Sequence, residues 1–222
     1  MASVQYAAGM RVGGLELSPR MSPDEQRALI FWLRRLPGSF TDRLPPLKLA
    51  VADELRLARG RVLINELSQE SSSRTRDHLH AASFIPQRYV VLHRRLFRRR
   101  VELGRILYHE LCHFVWPRLG NSLRRSYEEA VWAEFGKGTR GELGYSAEWR
   151  KEKLLAEGGA GCRPSRLWRE YLCESFCDTA SYVLLGSERR SGHSEYTLSR
   201  RARERRKRWM ASLWAIPDRP GR

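Results

Sequence analysis

Leu103, Ile106, Leu107, Leu111 and Phe114 recur at intervals of three and four residues, and Pro117 closes the run. That period places all five on one face of an α-helix, and proline, which has no amide proton and clashes with the preceding turn, ends it. The stretch 98–116 is therefore read as an amphipathic helix, and any fold the chain adopts has to bury its apolar side. Within this helix stand His109-Glu110-Leu111-Cys112-His113. Helix positions four apart differ by about 40° of rotation, so both imidazoles project from one face and can share one ion. Glu110 lies one residue along, placed to meet a water beside that ion rather than the ion itself.

The rest of the chain supplies a setting for this helix. Residues 1–20 are punctuated by glycine and read as an irregular leader. Ser22-Pro23-Asp24-Glu25 has the marks of a helix start: a capping hydroxyl, proline in first position and acids in the first turn. This helix is expected to stop at Pro37-Gly38. Short apolar segments at Leu47–Val51, Arg61–Leu67 and Arg88–His93 read as strands, and the polar run Ser71–Arg76 as a loop. After the histidine helix the pattern stays helical, over Ser122–Phe135, from near Ala147, and over Arg166–Leu185, which Gly186 ends. Glycines at 136, 138, 141 and 144 mark a loop, and Gly158–Gly161 a break. The expected fold class is α+β, with one main domain over 21–193 and a basic helix or arm over 194–222 that bears Trp209 and Trp214.

Composition narrows the setting. The chain of 222 residues has a formal net charge of +16, with arginine runs at Arg94-Arg95, Arg98–Arg100 and Arg200–Arg208. Clustered guanidiniums suit a nucleic-acid partner, but no recognised nucleic-acid motif accompanies them, so a solvated basic surface is the favoured reading. No run approaches the length of apolar sequence that a membrane span needs, and Met1–Leu17 shows no secretory signal, so no membrane partner is expected. Cys112, Cys162, Cys173 and Cys177 do not make a disulfide framework, which points to a reducing, cytoplasmic setting.

Two histidines do not complete a catalytic zinc site, which takes a third protein ligand and keeps one position open. No histidine follows His113 until His193, so a compact three-histidine arrangement is absent. Carboxylates stand on the later helix, in Glu174-Ser175-Phe176-Cys177-Asp178. His-Glu-x-x-His followed by Glu-x-x-x-Asp resembles the gluzincin zinc metallopeptidases. The resemblance covers these motifs and the order of strands and helices around them. It implies a zincin-like domain in which a small sheet packs on the histidine helix and the C-terminal part is mostly helical. It also implies Zn2+ held by His109, His113 and Glu174, with Asp178 accepting a hydrogen bond from the outer nitrogen of His109. Glu170, one turn before Glu174, is the alternative third ligand.

The expected activity is hydrolysis of a peptide or protein substrate, with Glu110 as general base and a donor such as His193 or Tyr196 beside the developing oxyanion. Tyr145, Tyr171 and Tyr182 are further candidates for that donor. An edge strand near the histidine helix is expected to receive an extended peptide; Arg88–His93 is nearest in sequence, while the resemblance implies the strand before it. Two other readings remain: a closed zinc site in which Cys173 and Cys177 join the histidines, and a basic nucleic-acid-binding protein with a structural or regulatory zinc, contacting its partner through Arg200–Arg208 and Trp209. Oligomeric state is not legible.

Overall fold

The computed structural model describes residues 10–58, 61–65, 79–158, 164–186 and 193–214, with 57–58 and 61–65 described by backbone alone. The expected loop at Ser71–Arg76, Cys162 and most of the Gly158–Gly161 break lie outside the described residues. The protein is α+β. Its contacts divide into two compact units, Met1–Leu36 with Leu44–Phe114, and Pro37–Arg43 with Val115–Arg222. The division falls inside the stretch 21–193 that the sequence presents as one domain.

The first unit is built on a mixed five-stranded sheet in the order β1 (Arg11–Val12), β2 (Leu15–Leu17), β3 (Leu47–Ala52), β7 (Tyr89–His93), β6 (Ala81–Phe84). β2, β3 and β7 run parallel, while β1 and β6 pair antiparallel at the two edges. β4 (Glu54–Ala58) and β5 (Arg61–Asn65) form a separate antiparallel pair. β3 and β7 are the central strands, and their near-continuous burial is what parallel strands covered on both faces require. The leader is a correction. Residues 11–12 and 15–17 are strands, because alternation in Leu15-Glu16-Leu17 sends both leucines to the core, where they are buried in register with Leu47 and Leu49.

Two α-helices complete this unit among the described residues. α1 (Pro23–Leu33) starts as its sequence dictates: the Ser22 hydroxyl accepts the Glu25 amide at 3.2 Å, and the Glu25 carboxylate accepts the Ser22 amide at 2.8 Å. Glu25 is also paired with Arg94, whose Nε donates to Asp53 at 2.7 Å. α3 (Arg100–Val115) is the histidine helix, and Leu103, Leu107, Leu111 and Phe114 are buried. The Tyr108 hydroxyl donates to the Trp32 carbonyl at 2.8 Å and the Trp32 indole to the Arg100 carbonyl at 3.1 Å, so α1 and α3 are fastened at fixed register.

The second unit is helical: α2 (Gly38–Thr41), α4 (Asn121–Gly136), α5 (Tyr145–Ala156), α6 (Arg166–Leu184) and α7 (Arg200–Trp214). α6 is its centre, in contact with α4, α5 and α7. Ser165 caps its start by accepting the Trp168 amide at 3.1 Å. Its end comes just before Gly186, whose φ of +56° is the left-handed conformation that closes helices. Tyr127, Phe176, Trp209 and Trp214 form an aromatic core, and Phe40 from α2 packs on Trp214 with ring centroids 5.0 Å apart. Ala202, Arg206, Met210, Leu213 and Trp214 of α7 are buried, so the C-terminal helix is an integral layer of this unit. No helix among the described residues is long and apolar enough to cross a membrane.

Candidate metal centre

α3 brings its two histidines together as their spacing requires. Their Nε2 atoms are 3.2 Å apart, with ring planes at 77°. A tetrahedral zinc with Zn–N bonds of about 2.0–2.1 Å holds two nitrogens about 3.3 Å apart, so the pair presents one edge of such a site. The donor set fits the ion: neutral imidazoles are among its commonest ligands. A hydrogen bond between the rings gives a similar separation, and metal analysis separates the two. His109 is buried while His113 is half-buried, so the pair has one side toward the interior and one accessible.

Glu110 is tethered rather than loose. The Ser83 hydroxyl of β6 donates to its carboxylate and lies 3.2 Å from its backbone carbonyl oxygen. Ser83 carries no signal in the sequence, because nothing in a serine on a short strand announces a contact with a helix residue far along the chain. The link also identifies the strand beside the helix. β7, nearest in sequence, has β3 on one side and β6 on the other and so has no edge to offer. Among the described residues β6 lies at this edge of the sheet, so of the two expected positions Arg88–His93 is interior and the strand before it is at the edge.

The carboxylates of the second motif stand on α6. Glu174 has 15% of its side chain exposed and its Oε1 lies 3.6 Å from Nη2 of Arg150 on α5. Glu170 is 39% exposed and accepts from Arg166 Nε at 2.8 Å, with Arg150 4.0 Å away. Of the two, Glu174 is the more enclosed and Glu170 the more occupied by a surface arginine. Asp178 is buried one turn beyond Glu174. The chain passes it at Gly144, where a Cβ would sit 2.3 Å from its Oδ1, so this position is open only to glycine. The Sγ atoms of Cys173 and Cys177 lie within 4.8 Å of one another on the same helix.

Among the candidate oxyanion donors the structure discriminates. The Tyr171 hydroxyl is buried and donates to Glu142 at 2.5 Å. Burial and the charge of Glu142 hold it protonated well above the ordinary phenol range, so it is committed to the core. Tyr182 packs edge-on against Tyr196 at 5.1 Å between centroids, and Tyr145 is 69% exposed. His193 and Tyr196 lie together, ring centroids 5.0 Å apart, and His193 Nδ1 accepts the Glu195 amide at 3.3 Å.

The largest charged feature of the second unit escaped the sequence reading. Arg206 is buried and donates to Glu134 at 2.8 and 3.0 Å and to Glu142 at 2.6 and 3.0 Å. Lys151 Nζ reaches Glu142 at 3.1 Å, and Ser175 accepts from Arg206 at 2.9 Å. Burial alone would raise the Glu142 carboxyl, but the charges of Arg206 and Lys151 and the hydrogen bonds from Arg206 and Tyr171 hold it below its ordinary value. One signal was present: Ala202, Arg206, Met210 and Leu213 recur at intervals of four, four and three, which marks Arg206 as a member of the inward face. It also removes Arg206 from the basic surface expected over Arg200–Arg208.

Comparison with known protein families, with curated proteins and with solved structures finds no match to this chain in any of the three.

Proposed function

We propose that this protein is a zinc-dependent peptidase of zincin-like fold. The observation that supports it is the 3.2 Å edge formed by His109 and His113 with a tethered Glu110 beside it. In this reading His109, His113 and Glu174 would be the protein ligands of the ion. Asp178 orients the His109 ring, as the gluzincin resemblance implies. Zinc supplies Lewis-acid polarisation of water and of the scissile carbonyl.

The chain's own residues supply the remaining chemistry. Glu110 accepts the proton of the attacking water and delivers a proton to the leaving amine. Ser83 fixes the carboxylate in one orientation, so that no rotamer search precedes each transfer. Among the described residues β6 has no strand partner on its outer side, which suits addition of an extended peptide with the scissile bond led past Glu110. His193 or Tyr196 is the donor to the developing oxyanion.

The test is metal analysis of the purified protein followed by digestion of a peptide library with and without chelator. Zinc near one equivalent and chelator-sensitive cleavage are expected. Glu110→Gln is expected to keep its zinc and lose hydrolysis, and an undiminished rate would dismiss the base. Glu174→Ala is expected to lower zinc content, whereas unchanged content would move the third ligand to Glu170. Replacement of zinc by cobalt reads the ligand type. An intense near-ultraviolet charge-transfer band would assign the thiols of Cys173 and Cys177 and overturn the peptidase reading in favour of a closed site.

A further inference from the structure

We propose that the outward face of α7 and the first turns of α4 form a docking surface for the phosphate backbone of a nucleic acid, one that does not use the histidine pair. The basic run of α7 is sorted by its helix. Arg206 is turned inward and neutralised, Arg205 lies 3.4 Å from Glu134, and Lys207 lies 3.9 Å from Glu204. Arg201 and Arg208 stay exposed. Seven residues apart, they stand on one side of the helix about 10 Å from each other along its axis. The Trp209 indole donates to the Ser126 hydroxyl at 3.1 Å, which packs α7 against the first turns of α4, where Arg124 and Arg125 precede Ser126 in the chain. Arg125 is exposed, and Arg124 is half-buried with its guanidinium directed to Asn121 and Pro117. Glu129 and Glu204 are the exposed acids on these helices, and they leave the surface net positive.

Packing decides which polyanion this surface suits. A helix that lies on a membrane needs an apolar face to bury in the lipid. On α7 the residues that would supply one, Ala202, Met210, Leu213 and Trp214, are already buried within the unit. What remains outward is guanidinium, which recognises phosphate by charge and by paired hydrogen bonds. A net charge of +16 on the whole chain is the background that such binding uses. The expected partner is therefore nucleic acid read through its backbone, without base selection.

The full-length protein is titrated into a labelled DNA duplex, and into one strand of it, while fluorescence anisotropy is followed over a range of salt. The triple variant Arg125→Gln, Arg201→Gln, Arg208→Gln is expected to bind about tenfold more weakly, with its log K against log salt slope reduced by roughly two to three. The control variant Arg95→Gln, Arg98→Gln, Arg99→Gln removes the same charge from exposed positions of the first unit and is expected to bind within about twofold of wild type. Equal losses in the two triples would show generic charge and overturn the proposal. So would an unchanged slope in the first triple, tighter binding to anionic vesicles than to DNA, or equal competition by polyglutamate. Glu110→Gln is expected to bind as wild type does, so failure here and failure of the peptidase reading are told apart.

Discussion

At Gly144 and Asp178 a single missing methyl decides where a carboxylate can stand. A methyl group added at Gly144 would fall on the Asp178 carboxyl, so Gly144→Ala forces the α6 side chain or the turn before α5 to move. The expected cost is about 1–3 kcal/mol, as for other overpacked sites, read from urea denaturation with unchanged m-value. Glu110 shows the same dependence on a distant partner, since its orientation rests on Ser83. The identities of His109, Glu110 and His113 and their common helix face were legible in the sequence, because they follow from a local period. Ser83, the role of Gly144 and the ion pair of Glu174 with Arg150 were not, because each is a contact between residues far apart in the chain.

Among the elements, α7 is the one whose composition most misrepresents its environment. It reads as a basic helix or arm with a solvated surface, and its inward side is tied to α4 through Arg206 and Glu134 and, through Glu142, to the loop before α5. Arg206→Met would leave two buried carboxylates short of their main partner. The expected destabilisation is about 3–5 kcal/mol by urea denaturation, partly recovered when Glu134→Gln and Glu142→Gln are added. The same cluster makes an acid-side prediction. Glu142 has a folded value below its ordinary 4.5, so its contribution to stability is present above that pH and is lost as pH falls through the depressed value. The thermal midpoint of wild type is expected to fall more steeply below about pH 4.5 than that of Glu142→Gln, which is less stable at neutral pH. Parallel profiles would show that Glu142 is not the titrating group.

For the whole molecule, a metal that binds the native state and not the unfolded chain adds RT ln(1 + [L]/Kd) to stability, about 2.7 kcal/mol at a hundredfold excess over Kd. Zinc is therefore expected to raise the thermal midpoint of wild type and to leave that of His113→Ala in place. An equal rise in both would put the bound ion elsewhere, with Cys173 and Cys177 the first alternative. The contacts of the protein form two compact units, and the second recruits residues 37–43 from early in the chain. Phe40 of that segment packs on Trp214, and the Ser39 hydroxyl donates to the Trp214 carbonyl at 2.7 Å. No periodicity reports such a return.

What the sequence alone determined is everything governed by near neighbours. The capped start of α1, the spans of α3, α4 and α6, the strands β3 and β7, and the shared face of the two histidines all follow from spacing, because helix and strand periods are fixed by backbone geometry. Tertiary structure alone decided the strand status of Leu15–Leu17, the edge position of β6, the serine that holds Glu110 and the inward turn of Arg206. Each of these depends on which distant surface a residue meets, and the energy of such a meeting is written in no local pattern.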